Sequence, residues 1–168
     1  MVKAPICSFC AKTGTLCSNC QARYNRGEIS DIDIKSSKIL AKLEKKYSNL
    51  SKSKLKQTIA TEKIVILIGD KKLKLIFDQF PDISTTLEKE LGKSIETVTL
   101  ESSIKETISG LFHPVEVLGV DQIFVPDGTK ELKIRVRGNE TMLPINSNTL
   151  KLITEKITDS LVRIEFST

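Results

Sequence analysis

The stretch Leu87-Glu88-Lys89-Glu90-Leu91-Gly92-Lys93-Ser94-Ile95 reads as a helix running into a strand. Leu87 and Leu91 stand four apart on one helical face, Gly92 is a helix stop, and Ile95, Val98 and Leu100 follow as a strand. The chain holds a counterpart, Ile153-Thr154-Glu155-Lys156-Ile157-Thr158-Asp159-Ser160-Leu161, followed by Ile164 and Phe166, at an offset of 66 residues. A repeat at that spacing predicts two copies of one small α+β unit.

Upstream, Ser30-Asp31-Ile32-Asp33 has the form of a capped helix start, with an acid three residues after the serine. Ile32, Ile39, Leu43, Tyr47 and Leu50 recur at helical spacing and predict a helix from about 30 to 47. Residues 48–54 form a Ser/Lys-rich connector. Strands are expected at 55–60 and 64–68 around a Thr61-Glu62-Lys63 turn, the second being a β-branched run buried on both faces. Leu73, Ile76, Phe77 and Phe80 predict a helix broken at Pro81, so residues 30–100 read α-β-β-α-α-β.

The second unit opens with a helix carrying Ile104, Ile108, Leu111 and Phe112, ended by His113-Pro114. Residues 115–125 form a long strand with a bulge at Gly119. Pro126-Asp127-Gly128-Thr129 is a turn, and Leu132, Ile134 and Val136 alternate on the returning strand. An irregular stretch, 138–144, precedes the last helix and strand. Phe77, Phe80, Phe112, Phe124 and Phe166 occupy apolar-periodic positions and are expected in the core.

All four cysteines, Cys7, Cys10, Cys17 and Cys20, fall in one C-x2-C-x6-C-x2-C pattern. Four thiolates complete a tetrahedral zinc shell, and a two-residue gap lets both sulfurs of a pair reach one ion. Gly14 lies between the pairs, where the chain must reverse. One structural zinc is expected; redox use of a CxxC pair and disulfides are the alternatives. A closed four-cysteine shell has no open position for catalysis.

The 168 residues allow one ordinary domain or two to three very small ones. With 39% hydrophobic and 28% charged residues, the chain can build a core and is not of the disordered class. Its longest apolar run, 64–68, is far short of a membrane span. Met1-Val2-Lys3-Ala4-Pro5-Ile6-Cys7 has no leader pattern, so a cytoplasmic location is expected. Residues 1–56 hold 12 Lys/Arg against 4 Asp/Glu, a net of +8; residues 57–168 hold 14 against 17, a net of −3. That asymmetry points to an anionic partner. There is no G-x-S-x-G, P-loop or H-E-x-x-H, and His113 is the sole histidine, so neither an enzyme nor a small-molecule substrate is expected.

The α-β-β-α-α-β order resembles the type II KH domain. The run from Leu91-Gly92-Lys93-Ser94-Ile95-Glu96-Thr97-Val98 to His113-Pro114-Val115-Glu116-Val117 resembles the junction between the tandem KH domains of archaeal NusA-like transcription proteins. The four-cysteine start, through Cys17-Ser18-Asn19-Cys20-Gln21-Ala22, is similar to the zinc-bearing branch of that group. The resemblance implies an α+β fold: a zinc module at 1–28, then KH-like domains at 29–100 and 101–168. It implies binding of single-stranded RNA in transcription elongation or termination.

A KH domain that grips RNA carries a G-x-x-G loop. Here the corresponding positions read Gly69-Asp70-Lys71-Lys72, and either Leu143-Pro144-Ile145-Asn146 or Gly138-Asn139-Glu140-Thr141. None matches. Candidate nucleic-acid contacts are therefore charge-led: Lys12, Arg23, Arg26, Lys35, Lys38, Lys42, Lys52, Lys54, Lys56, Lys71, Lys72 and Lys74, with Phe9 and Tyr24 as stacking platforms. The alternative is a protein-docking module on RNA polymerase or the ribosome, without direct RNA binding.

Overall fold

A computed structural model describes residues 1–100 and 103–168 and divides the chain into two units, Met1–Leu100 and Glu101–Thr168. The expected start of the last domain, at 101, lies outside the described residues. The fold is α+β, with one three-stranded sheet in each unit.

The first unit runs α1 (Ser8–Thr13), α2 (Ser18–Asn25), α3 (Asp31–Leu43), a 3-10 turn (Ser48–Lys52), β1 (Leu55–Ala60), β2 (Ile64–Gly69), α4 (Lys71–Gln79), α5 (Pro81–Leu91) and β3 (Ser94–Thr99). The central strand, β2, pairs antiparallel with β1 and parallel with β3. It is buried along nearly its whole length, as a β-branched run should be. Leu40 of α3, Leu67 of β2, Leu73 of α4 and Leu87 of α5 meet in one core. Helix α3 stops short of the expected residue 47. Its end tightens, because the Lys45 and Lys46 amides bond to carbonyls three residues back. The turn brings Tyr47 against Phe80, ring centroids 5.1 Å apart.

Asp33 does more than the capping box asks of it. Its Oδ2 accepts from the Ser30 amide at 2.9 Å and the Ser30 hydroxyl at 2.8 Å, which closes the box at the start of α3. Its Oδ1 accepts from the Thr58 amide of β1 at 2.6 Å. One carboxylate, 3% exposed, thus starts the helix and anchors the outer side of the edge strand.

The second unit runs α6 (Ile104–Phe112), β4 (Val117–Phe124), β5 (Lys130–Arg137), a 3-10 turn (Glu140–Met142), α7 (Ser147–Thr158) and β6 (Leu161–Ser167). The sheet repeats the first: β4 antiparallel to β5, β5 parallel to β6. As the irregular stretch expected at 138–144 implies, the second unit lacks one helix of the full α-β-β-α-α-β order. Where the first unit has α4, the second has only the 3-10 turn, between Gly138 at φ 106° and Pro144, which lacks an amide donor.

The two sheets fix the repeat, and the offset at the helix–strand endings is 67 rather than 66. Ile64 opposes Ser94 in the first sheet as Glu131 opposes Leu161 in the second. Gly92 and Asp159 hold the left-handed position after α5 and α7, at φ 69° and 50°. Glu88 accepts from the Ile95 amide at 3.2 Å, and Glu155 from the Val162 amide at 3.0 Å. The first strand of each sheet also carries its register shift at the same place: Leu55/Gln57 opposite Gly69/Ile68, and Val117/Gly119 opposite Val136/Arg135. A slip of one residue exchanges the faces of a strand. Val162 is accordingly the buried residue, while Leu161 is 56% and Phe166 39% exposed. Phe77 and Phe112 are core; Phe124, at the end of β4, is exposed.

Replacing Asp33 by alanine removes the carboxylate half of the capping box and leaves the Ser30 and Thr58 amides without their acceptor. The expected loss is about 2–4 kcal/mol of unfolding free energy. Asp33→Asn, which keeps an acceptor, should cost less. Urea unfolding measures both, and an equal loss in the two variants would reject this account.

Candidate metal centre

The two cysteine pairs occupy equivalent places on two short helices. Cys7 and Cys17 are the N-cap residues of α1 and α2; Cys10 and Cys20 fall three residues on, in each first turn. The pairs also bond reciprocally. The Cys7 amide donates to Cys20 Sγ at 3.4 Å, and the Cys17 amide to Cys10 Sγ at 3.0 Å. Gly14, at φ 80°, ends α1 and lets the chain turn back.

All four sulfurs lie within 4.8 Å of one another. Cys7 Sγ is 3.3 Å from Cys10 Sγ and 4.0 Å from Cys17 Sγ. A tetrahedral shell with Zn–S bonds of about 2.3 Å sets neighbouring sulfurs about 3.8 Å apart, so the arrangement fits a four-thiolate metal site. A disulfide needs about 2.05 Å, and all four cysteines are free. The site has the geometry to hold one metal ion.

The environments of the sulfurs differ. Cys10 and Cys20 are buried with Ile6, Ala11, Ile29 and Ala41, so α3 forms the floor of the site. Burial pushes the Cys10 thiol up to about 12 and raises that of Cys20. Cys17 is drawn down to about 7, chiefly by the Cys20 amide hydrogen bond, and Cys7 is lowered in the same way by the Cys10 amide. The two inner thiols therefore hold their protons more tightly than a free cysteine does, and the outer two give theirs up more easily.

Several expected nucleic-acid contacts instead brace this module. Arg23 donates to the Pro5 carbonyl at 2.9 Å and pairs with Glu28. Arg26 pairs with Glu28 at 2.7 Å. The Tyr24 hydroxyl donates to Asp31 at 2.8 Å, and that carboxylate raises its pKa. Phe9, on α1 between two of the cysteines, is 62% exposed. Lys12 is exposed on α1, Lys35 and Lys42 on α3, and Lys38 is half-buried beside them.

Lys52, Lys54, Lys56, Lys71, Lys72 and Lys74 are exposed, and the fold brings their two segments together. Asp70, the cap of α4, accepts from the Lys54 amide at 3.2 Å and donates its own amide to the Lys54 carbonyl at 3.0 Å. Gly69 sits in the same crossing; a Cβ there would strike Leu73 and the Lys54 carbonyl. Its smallness serves packing between β1, β2 and α4. Sequence reasoning missed Lys3. Its amide donates to the Ser53 carbonyl and its carbonyl accepts from the Leu55 amide, which pairs it with Lys54. Contacts between residues 50 apart leave no local signal.

The units treat their cations differently. In the second, Lys133 pairs with Glu165, Arg135 with Asp121, Arg137 with Glu116 and Arg163 with Glu131. In the first, among the described residues, Lys3, Lys12, Lys35, Lys38, Lys42, Lys52, Lys54, Lys56, Lys72 and Lys74 form no ion pair. No helix among the described residues is long and apolar enough to cross a membrane.

No family model and no curated protein matches this chain. Among solved structures it is similar to the one described as "Crystal structure of APE1850", with a TM-score of 0.57 and 18% identity, over 74% of this chain and 96% of that one. The likeness is one of fold.

Metal analysis is expected to return about one ion per chain, and Cys10→Ser to lose it. Cys10 and Cys20 are protonated at neutral pH without metal, so uptake should release at least two protons. Affinity should then rise about 100-fold per pH unit near neutrality. Titration calorimetry in buffers of different ionisation enthalpy measures the release; uptake without it would contradict the assignment.

Proposed function

We propose that this chain is a non-enzymatic, KH-like RNA-binding protein that works with the transcription machinery, in the manner of the NusA-like proteins its sequence resembles. The observation that supports the reading is the excess positive charge of the first unit. Met1–Leu100 holds 18 Lys/Arg against 11 Asp/Glu, a net of +7, whereas Glu101–Thr168 holds 8 against 10, a net of −2. Cations already committed to ion pairs are poor phosphate ligands; exposed lysines without carboxylate partners are good ones. The strand order common to both units, antiparallel then parallel, supports two related modules of one type.

Zinc is the metal proposed for the four-thiolate site, because four cysteine sulfurs make a closed, sulfur-only shell, the kind that structural zinc takes. Its work is structural: holding α1 and α2 against α3. The proposed location is cytoplasmic, where thiols stay reduced.

RNA binding here does not use a glycine clamp. Asp70 caps α4, Asn146 caps α7, and Gly138 leads into the 3-10 turn. A hollow of about 440 Å³ between α7 and β6 has Glu131, Glu140 and Glu155 in its walls against Lys151 and Arg163, a poor setting for phosphate. The second reading is docking on RNA polymerase or the ribosome. The exposed Phe9 favours it, since exposed aromatic anchors serve protein interfaces.

Labelled single-stranded RNA titrated across a salt series separates the two. Micromolar or tighter binding whose logarithm falls linearly with the logarithm of salt is the expected result. No binding at low salt would overturn the RNA reading in favour of docking.

A further inference from the structure

We infer that the RNA phosphates are held by a lysine rim where Met1–Lys3, the start of β1 and the start of α4 cross. The inference rests on the RNA-binding reading and gives it a place. Three chain segments, far apart in sequence, are hydrogen-bonded to one another here. Lys3 bonds to Ser53 and Leu55, and Lys54 is bonded in both directions to Asp70. The crossing carries Lys3, Lys52, Lys54, Lys56, Lys71 and Lys72, all exposed.

Two acids meet these segments: Glu44, at the end of α3, accepts from the Val2 amide at 2.8 Å and pairs with the Met1 ammonium at 3.5 Å, and Asp70 lies within them. The Asp70 carboxylate is turned to the backbone, accepting from the Lys54 amide at 3.2 Å and the Leu73 amide at 2.9 Å. Lys3, Lys52, Lys54, Lys56 and Lys72, which form no ion pair among the described residues, outnumber the two carboxylates bonded into the crossing, Asp70 and Glu44, and make it a local concentration of cationic chain. A flexible polyanion is the partner that such a rim recognises, through charge and without base readout. The lysines of α3 are a weaker candidate: among the described residues no backbone–backbone hydrogen bond joins their helix to a second segment, and at its end it is the Glu44 side chain that reaches Met1 and Val2.

Lys3 has a particular role. Val2 is buried in the main core and Ile6 in the cluster beside the cysteines. Lys3 is therefore pinned from both sides, on the short tether between the first sheet and the metal centre. The metal-bound module fixes where this cation stands.

The test uses the full, zinc-loaded chain and labelled single-stranded oligouridine over a salt series. Lys3→Glu/Lys54→Glu should weaken binding about ten-fold or more at low salt and flatten the salt slope by about one. Lys3→Arg/Lys54→Arg should bind as the wild type does, and Lys35→Glu/Lys42→Glu should lose less than the rim variant. Lys3 and Lys54 pair through their backbones, so metal content and melting temperature should not change. Should the double variant fold poorly, Lys72→Glu alone, outside the strands, is expected to weaken binding. Wild-type affinity in folded rim variants, with the parent chain binding RNA, would overturn the placement and leave the function standing. A parent chain that does not bind would overturn both.

Discussion

The Asp33 carboxylate is the joint on which the first unit turns. A helix start and the outer side of a sheet each present amides without partners, and an aqueous surface would ordinarily supply them. Here one buried side chain serves both, so α3 cannot shift along β1 without stranding a donor. Everything on the far side of α3 inherits that position. Ala41 and Ile34 of the same helix form the floor under Cys10 and Cys20. The cysteine cluster is thus built on an element whose place is set by a hydrogen-bonded acid.

The metal centre in turn reaches back to the sheet. The cysteine module follows directly on Met1–Lys3, which lies beside the start of β1 and sends Val2 into the main core. The first unit is therefore closed on itself: sheet to α3 through Asp33, α3 to the cysteines through apolar packing, cysteines to the sheet through the N-terminal segment. Its charge follows the same division of labour. Arginines of the module are consumed in bracing it, whereas Lys3, Lys12, Lys52, Lys54, Lys56 and Lys72 stay exposed.

Much of this was legible in the sequence. The cysteine spacing pointed to the cluster of four sulfurs, because two residues between the cysteines of a pair is a local requirement that helices α1 and α2 satisfy in their first turns. The capping box at Ser30 and Asp33, the buried run of β2 and the bulge before Gly119 were equally local signals. What the sequence hid was non-local. The second bond of Asp33, the pairing of Lys3 with Lys54, and the ion pairs across β4, β5 and β6 join residues with no fixed spacing. The repeat was visible but read one residue out. Apolar residues at Leu161 and Phe166 mimicked the inward face, whereas the sheet register, which no linear pattern carries, turns Val162 inward.

The paired glutamates at the helix ends have a consequence for how the sheets meet other chains. β3 and β6 are edge strands, and an edge invites a further strand to add to it. In each unit the amide that would receive the first bond, Ile95 or Val162, is already engaged by Glu88 or Glu155 from the preceding helix. An incoming strand there meets a carboxylate bearing its own negative charge instead of a free donor. Both copies carry the same guard at the same offset, and it holds each sheet to a width of three strands at that corner.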